Sequence, residues 1–181
     1  MTQLILWTVL ILLVLPIAAL AVLHHSLVQA RLACQESWTQ LTGVLKGRLA
    51  LVPHLLQLAE EYAAAGQDVC REVRAARKEA SQARGVQARG QAETRLVEAL
   101  AGLFDLAERY PGLKSHTEFA RLREELRSAE NRIGLAADDY NSRVRSYNDL
   151  RERKIHGLLA RAMKLKPVHE FPDAAVRTEN C

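Results

Sequence analysis

Polar side chains that stand inside apolar stripes are where this sequence could do chemistry. Arg48 falls on the heptad continuation between Leu45 and Val52. Glu130, Asn131 and Arg132 interrupt the run between Leu126 and Ile133. Tyr140-Asn141 and Tyr147-Asn148 repeat one dipeptide after seven residues, an interval that returns to nearly the same face of a helix. A charge inside a core needs a partner, because breaking a buried pair costs roughly 3–5 kcal/mol. Arg48 is therefore expected opposite an acid, Glu130 or Glu125, and both asparagines are expected to hydrogen-bond along one interface. His54, directly after Pro53, belongs to the polar side of the helix that carries Arg48. Two readings of this seam stay open. Its polar groups could fix helix register, as a buried Asn does in coiled coils, or they could line a groove that receives a partner segment or ligand.

Other chemistry finds little support. None of the six histidines stands in an HExxH arrangement or a comparable helical ligand pair. Asp138-Asp139 and Glu124-Glu125 are adjacent pairs, which do not share a helix face. There is no glycine-rich phosphate loop and no GxSxG elbow. Cys34, Cys70 and Cys181 are far apart and odd in number, so they supply neither a disulfide framework nor a zinc site. No catalytic centre, metal or cofactor is expected. Basic residues outnumber acidic ones seven to three between Arg71 and Arg95, and eight to two between Arg143 and Lys166. Those stretches lack aromatic interleaving, so nucleic acid is not an expected partner. They read as solvated faces with i,i+4 pairs or as surfaces for anionic lipid headgroups.

Helices must position these residues. Pro (5) and Gly (9) are scarce among 181 residues, and Ala, Leu, Arg and Glu dominate, which is the composition of long helices. Apolar residues recur at spacings of three and four in four stretches: Trp38 to Tyr62, Val69 to Ala83, Leu96 to Tyr110 and Phe119 to Tyr147. Gly66 reads as a C-cap and Asp68 as the next N-cap, after Ala64-Ala65. Tyr110-Pro111-Gly112 is the clearest turn. Ser81 to Gln91, with Gly85 and Gly90, is either a frayed helix middle or a loop. Pro53 marks a kink in the first helix. A short amphipathic piece follows around Ile155 to Leu165, and residues 167–181 read as a disordered tail. The fold class is all-α: a transmembrane helix in residues 1–25, then an antiparallel bundle of long amphipathic helices in 26–166.

Residues 4–23 are apolar except for Thr8, and the first charge is Arg31. Twenty helical residues span about 30 Å, the thickness of the hydrocarbon core. Ala19-Leu20-Ala21 resembles a signal cleavage site. The leader Met1-Thr2-Gln3 has no basic residue, however, and the run is longer than a usual signal core, so a retained anchor in membrane lipid is expected. Arg31, Lys46 and Arg48 follow it, and the positive-inside rule then points to a cytoplasmic C-terminal domain.

Three blocks resemble the LemA family of bacteria. The first is Leu27-Val28 with Trp38, Gln40, Leu41, Leu45-Lys46, Arg48, Leu51-Val52-Pro53, Leu55 and Tyr62. The second is Ala107-Glu108-Arg109-Tyr110-Pro111-Gly112-Leu113-Lys114 with Phe119. The third is Leu122, Glu125-Leu126, Glu130-Asn131-Arg132-Ile133 and the Tyr-Asn repeat. The resemblance implies an N-terminally anchored helical bundle in a bacterial cytoplasmic membrane, and no reaction. Family members usually carry His-Asp where this chain has Leu49-Ala50, Asn at the position of His54, and Phe-Pro near Arg153-Lys154. The expected function is non-enzymatic: a scaffold of the cell envelope with a protein partner or self-association, or a lipid-organising protein that assembles through basic helix faces.

Overall fold

The computed structural model describes residues 1–62 and 66–176 and is helical throughout its regular elements. Ala64, Ala65, Cys181 and the remainder of 177–181 lie outside the described residues. The helices are α1 (Thr2–Tyr62), α2 (Gln67–Gln82), α3 (Val86–Arg109), α4 (Pro111–Lys114), α5 (Thr117–Glu152) and α6 (Lys154–Ala162), followed by a 3₁₀ turn at Asp173–Ala175. The chain forms two compact units. One gathers Met1–Glu36 with Arg143–Val168, and the other gathers Ser37–Ser142 with the chain from His169 on.

The second unit holds the larger core. Val52, Leu55 and Ala59 of α1 are buried with Val73 and Ala80 of α2, Leu96, Leu100 and Leu103 of α3, and Phe119, Leu122 and Leu126 of α5. Here α1 and α5 run antiparallel: the Trp38 ring lies 5.4 Å from Tyr140, and the Tyr62 ring lies 5.0 Å from His116. α1 stays helical through Pro53. Proline has no N–H to give the carbonyl four residues back. That carbonyl, Leu49 O, instead accepts a bond of 2.9 Å from Arg77 Nε of α2. A neighbouring helix therefore satisfies the group that the proline orphans.

Turns follow local rules with two departures. Gly66 is the N-cap of α2, not the C-cap of α1, and Asp68 sits in the first turn, paired with Arg71, without capping the helix. The stretch around Gly85 is a sharp turn rather than a long loop. α2 ends at Gln82, Gly85 takes φ 81°, and α3 starts at Val86. Pro111 then opens the single turn α4 at the position where its missing N–H costs nothing.

The expected tail is the main correction. Phe171, Ala175 and Val176 are buried in the second unit, so the chain from His169 to Val176 is a packed strap rather than a disordered end. A single aromatic in a short polar stretch gives no periodicity, and the segment orders because α3 and α5 supply its partners.

In the first unit Leu27, Cys34, Val144, Tyr147 and Ala160 are buried. Burial on α1 stops near Leu27: Ile17, Leu20 and Val22 are 61%, 52% and 69% exposed. Among the described residues one helix is long and apolar enough to cross a membrane, and it lies near the N-terminus. Burial raises the Cys34 thiol pKa, while nearby Arg143 pulls against that rise. Lys164 closes α6 with φ 53°, its N–H bonding Arg161 O at 3.0 Å and the Leu165 N–H bonding Ala160 O at 2.9 Å. That is a Schellman cap, with Lys where glycine is usual.

Candidate functional site

The polar seam resolves into a clasp and an ion cluster in the second unit, and a separate clasp in the first. In the second unit Asn141 uses both ends of its amide on one residue of the strap. Its Oδ1 accepts from Phe171 N at 2.7 Å, and its Nδ2 donates to Phe171 O at 2.9 Å. Tyr140 Oη donates to His169 O at 2.9 Å. The Phe171 ring lies 6.2 Å from the Trp38 ring, which also stacks against Tyr140. Such an amide reads main chain, which every sequence carries, while the aromatic contacts read one side chain.

Pro172 follows in the strap and rests on α3 at Gly90. A Cβ at Gly90 would meet Pro172 Cδ at 2.5 Å and Cγ at 2.7 Å. Only glycine permits that approach, because a proline ring cannot swing aside. Gly90 therefore marks a docking point inside a helix, not a frayed middle.

Beneath the strap, Arg48 Nη2 donates to Ala175 O at 3.0 Å and meets Glu93 Oε2 at 2.5 Å. Arg89 Nε bonds the other oxygen of Glu93 at 2.7 Å, one helical turn away. The side chains of Arg48 and Glu93 are fully buried. Two guanidiniums thus share one carboxylate in a dry setting, where each charge depends on the others. Arg48 Nε and Nη1 and Arg89 Nη2 have no hydrogen-bond partner among the described residues.

In the first unit the second Tyr-Asn pair repeats the device. Asn148 Nδ2 donates to Val168 O at 2.9 Å and Oδ1 accepts from Val168 N at 3.2 Å, while Tyr147 Oη donates to Lys166 O at 3.2 Å. The asparagines serve one segment, as their spacing implied. That segment is this chain's own C-terminal strap, not another helix.

The acid that receives Arg48 is Glu93, where Glu130 and Glu125 were expected. Glu130 is buried, but Glu125 is partly exposed and pairs with Arg121, which also holds Glu118. Asn131, Arg132 and His54 are exposed. His54 lies near Glu118, so His54, Glu125 and Glu130 do not converge on one cleft. Among the described residues no group of three or more His, Cys, Asp or Glu could hold a metal ion. Glu93 and Arg89 were legible in principle. Stepping back from Leu100 and Leu96 by three and four residues lands on both, the pattern that singled out Arg48. Phe171 and Ala175 carry no such signal.

A sequence profile described as the LemA family matches residues 37–180. Comparison with curated proteins finds no match.

Proposed function

For this chain, which belongs to the LemA family, we propose a non-enzymatic role as a membrane-tethered interaction protein of the bacterial envelope. The observation that carries the reading is the Asn141 clasp. Its polar groups are spent on holding an extended peptide by its main chain, with an aromatic slot for one anchor residue. Main-chain capture plus a side-chain pocket is a general mode of peptide recognition. The strap fills the slot in the resting protein, and a partner segment with an aromatic residue competes for it. The apolar N-terminal segment supports tethering, with the bundle on the cytoplasmic side.

Crosslinking mass spectrometry on native membranes tests this with three forms of the full-length protein. Phe171→Ala loosens the strap and leaves the slot intact, so crosslinks from a defined partner to the region of Trp38 and Tyr140 should increase. The Asn141→Ala/Asn148→Ala double variant removes the clasps, and those crosslinks should be lost while helicity by circular dichroism persists. Partner crosslinks that stay the same in all three forms, or only self-crosslinks, sink the slot and return the seam to a structural role.

A further inference from the structure

We propose that α6 is an interfacial helix, lying on the anionic headgroups of the leaflet that α1 enters. The proposal rests on the reading of residues 4–23 as a membrane anchor. Everything that bears on it belongs to the first unit.

Position comes first. Burial on α1 begins at Leu27, which is fully covered, whereas Val22 is 69% exposed. The apolar run ends at Leu23 and is followed by His24 and His25. The edge of the protein's own packing and the edge of the apolar segment therefore coincide. The unit contains only one other stretch, Arg143–Val168, to provide that cover. Arg143 lies near Cys34. From Cys34 back to His25 is nine residues, and from Arg143 on to Glu152 is also nine. At 1.5 Å per residue each run is about 14 Å, so α5 running against α1 ends level with the histidines.

There the chain turns. Arg153 takes an extended conformation (φ −61°, ψ 139°), and Gly157 packs on the end of α5, where a Cβ would stand 3.1 Å from Arg151 O. One face of α6 is held in the unit through Ala160, which is buried. The other face shows Leu158, 70% exposed, beside exposed Arg161 and Ala162. Arg153, Lys164 and Lys166 are also exposed, and Glu152 is the only acid between Arg151 and Lys166. An apolar side chain ringed by cations suits the headgroup layer, where carbon enters the acyl boundary and ammonium or guanidinium groups meet phosphate. Each basic residue near an anionic leaflet strengthens attachment about five-fold at physiological salt.

The test is site-directed spin labelling of the full-length protein in nanodiscs. The background is Cys34→Ala, Cys70→Ala and Cys181→Ser, with labels at Leu158→Cys, at exposed Leu135→Cys on α5, and at Leu10→Cys in the apolar segment. With anionic lipid the label at 158 should be several-fold more accessible to oxygen, relative to a water-soluble nickel chelate, than the label at 135. Reversing Arg153, Arg161 and Lys164 to Glu should abolish that difference. A label at 158 as aqueous as that at 135, with 10 in the hydrocarbon, overturns the inference and leaves the anchor standing. An aqueous label at 10 overturns both. Equal immersion in neutral lipid at high salt removes the role of charge and defeats the proposal, as does spin coupling between 158 positions, which would mark a second copy as the cover. Amide hydrogen exchange of α6 on the unsubstituted protein repeats the comparison without cysteine changes. Exchange equal in anionic and neutral discs counts against the proposal.

Discussion

Glu93 is the residue on which the buried charges turn. It holds Arg48 through one oxygen and Arg89 through the other. Removing Glu93 strands two cations, whereas removing Arg48 leaves Glu93 with Arg89. Glu93→Gln should therefore cost roughly 3–5 kcal/mol in urea unfolding, and Arg48→Met distinctly less. Equal losses, or the reverse order, would mean that the three groups do not form one cluster. Glu118 makes a second argument, on the exposed side of α5. A hydrogen bond from Arg121 holds its carboxyl below the usual glutamate range. A depressed folded-state pKa contributes stability that is present above the unfolded value and is lost as pH falls through the folded one. Carbon-detected NMR should show Glu118 titrating below Glu124, and Arg121→Ala should move it up to the ordinary range. If Glu118 does not move, Arg121 is not the cause. Arg48 was legible in the sequence because it breaks an apolar stripe. Its partner was missed because the acid lies in another helix, and periodicity fixes the face of a residue but not which helices meet.

Helices announced themselves and the strap did not. Four stripes and a proline–glycine turn were enough to place α1, α2, α3 and α5, since a packed amphipathic helix repeats its apolar contacts at every turn. The strap makes its contacts once each, through Phe171, Pro172 and Ala175, and a single contact has no period. Its visible trace lies instead in what receives it: the Tyr-Asn pairs and Gly90. The glycine is the sharpest handle on this element. Gly90→Ala forces a methyl group into Pro172 and should cost about 1–3 kcal/mol by overpacking. The effect should be local. Amide exchange at Phe171 should accelerate strongly, because its N–H loses the fixed position opposite Asn141, while amides at Val73 and Leu100 in the core exchange as before. A uniform acceleration across α2 and α3 would contradict a local docking point and assign Gly90 to the core itself.

The match to the LemA family begins at residue 37, so the apolar N-terminal segment must be argued from its own composition. Its length fits a bilayer, and most of the candidate span is not buried in protein. The rival, a cleaved leader, makes a different molecule. Cutting after Ala21 would leave the buried positions from Leu27 on intact and release the bundle into the medium beyond the membrane. Retention gives a chain of 20.2 kDa that resists extraction. Orientation follows from charge, but not from all the charges that the sequence offered. Arg48 is buried against Glu93 and cannot face a membrane surface. Arg31 remains, and in the same unit the basic residues from Arg151 to Lys166 stand near the end of the apolar run. These reinforce a cytoplasmic bundle under the positive-inside rule. The expected outcome has three parts: the intact mass of the uncut chain, full retention in the membrane pellet after alkaline carbonate, and a C-terminal reporter protected from protease added to intact cells. A shorter soluble chain starting near Val22 would sink the anchor. Protease cleavage of the reporter in intact cells, with the mass and the pellet unchanged, would reverse the orientation while keeping the anchor. The basic residues around α6 would then face the outer leaflet of the same membrane.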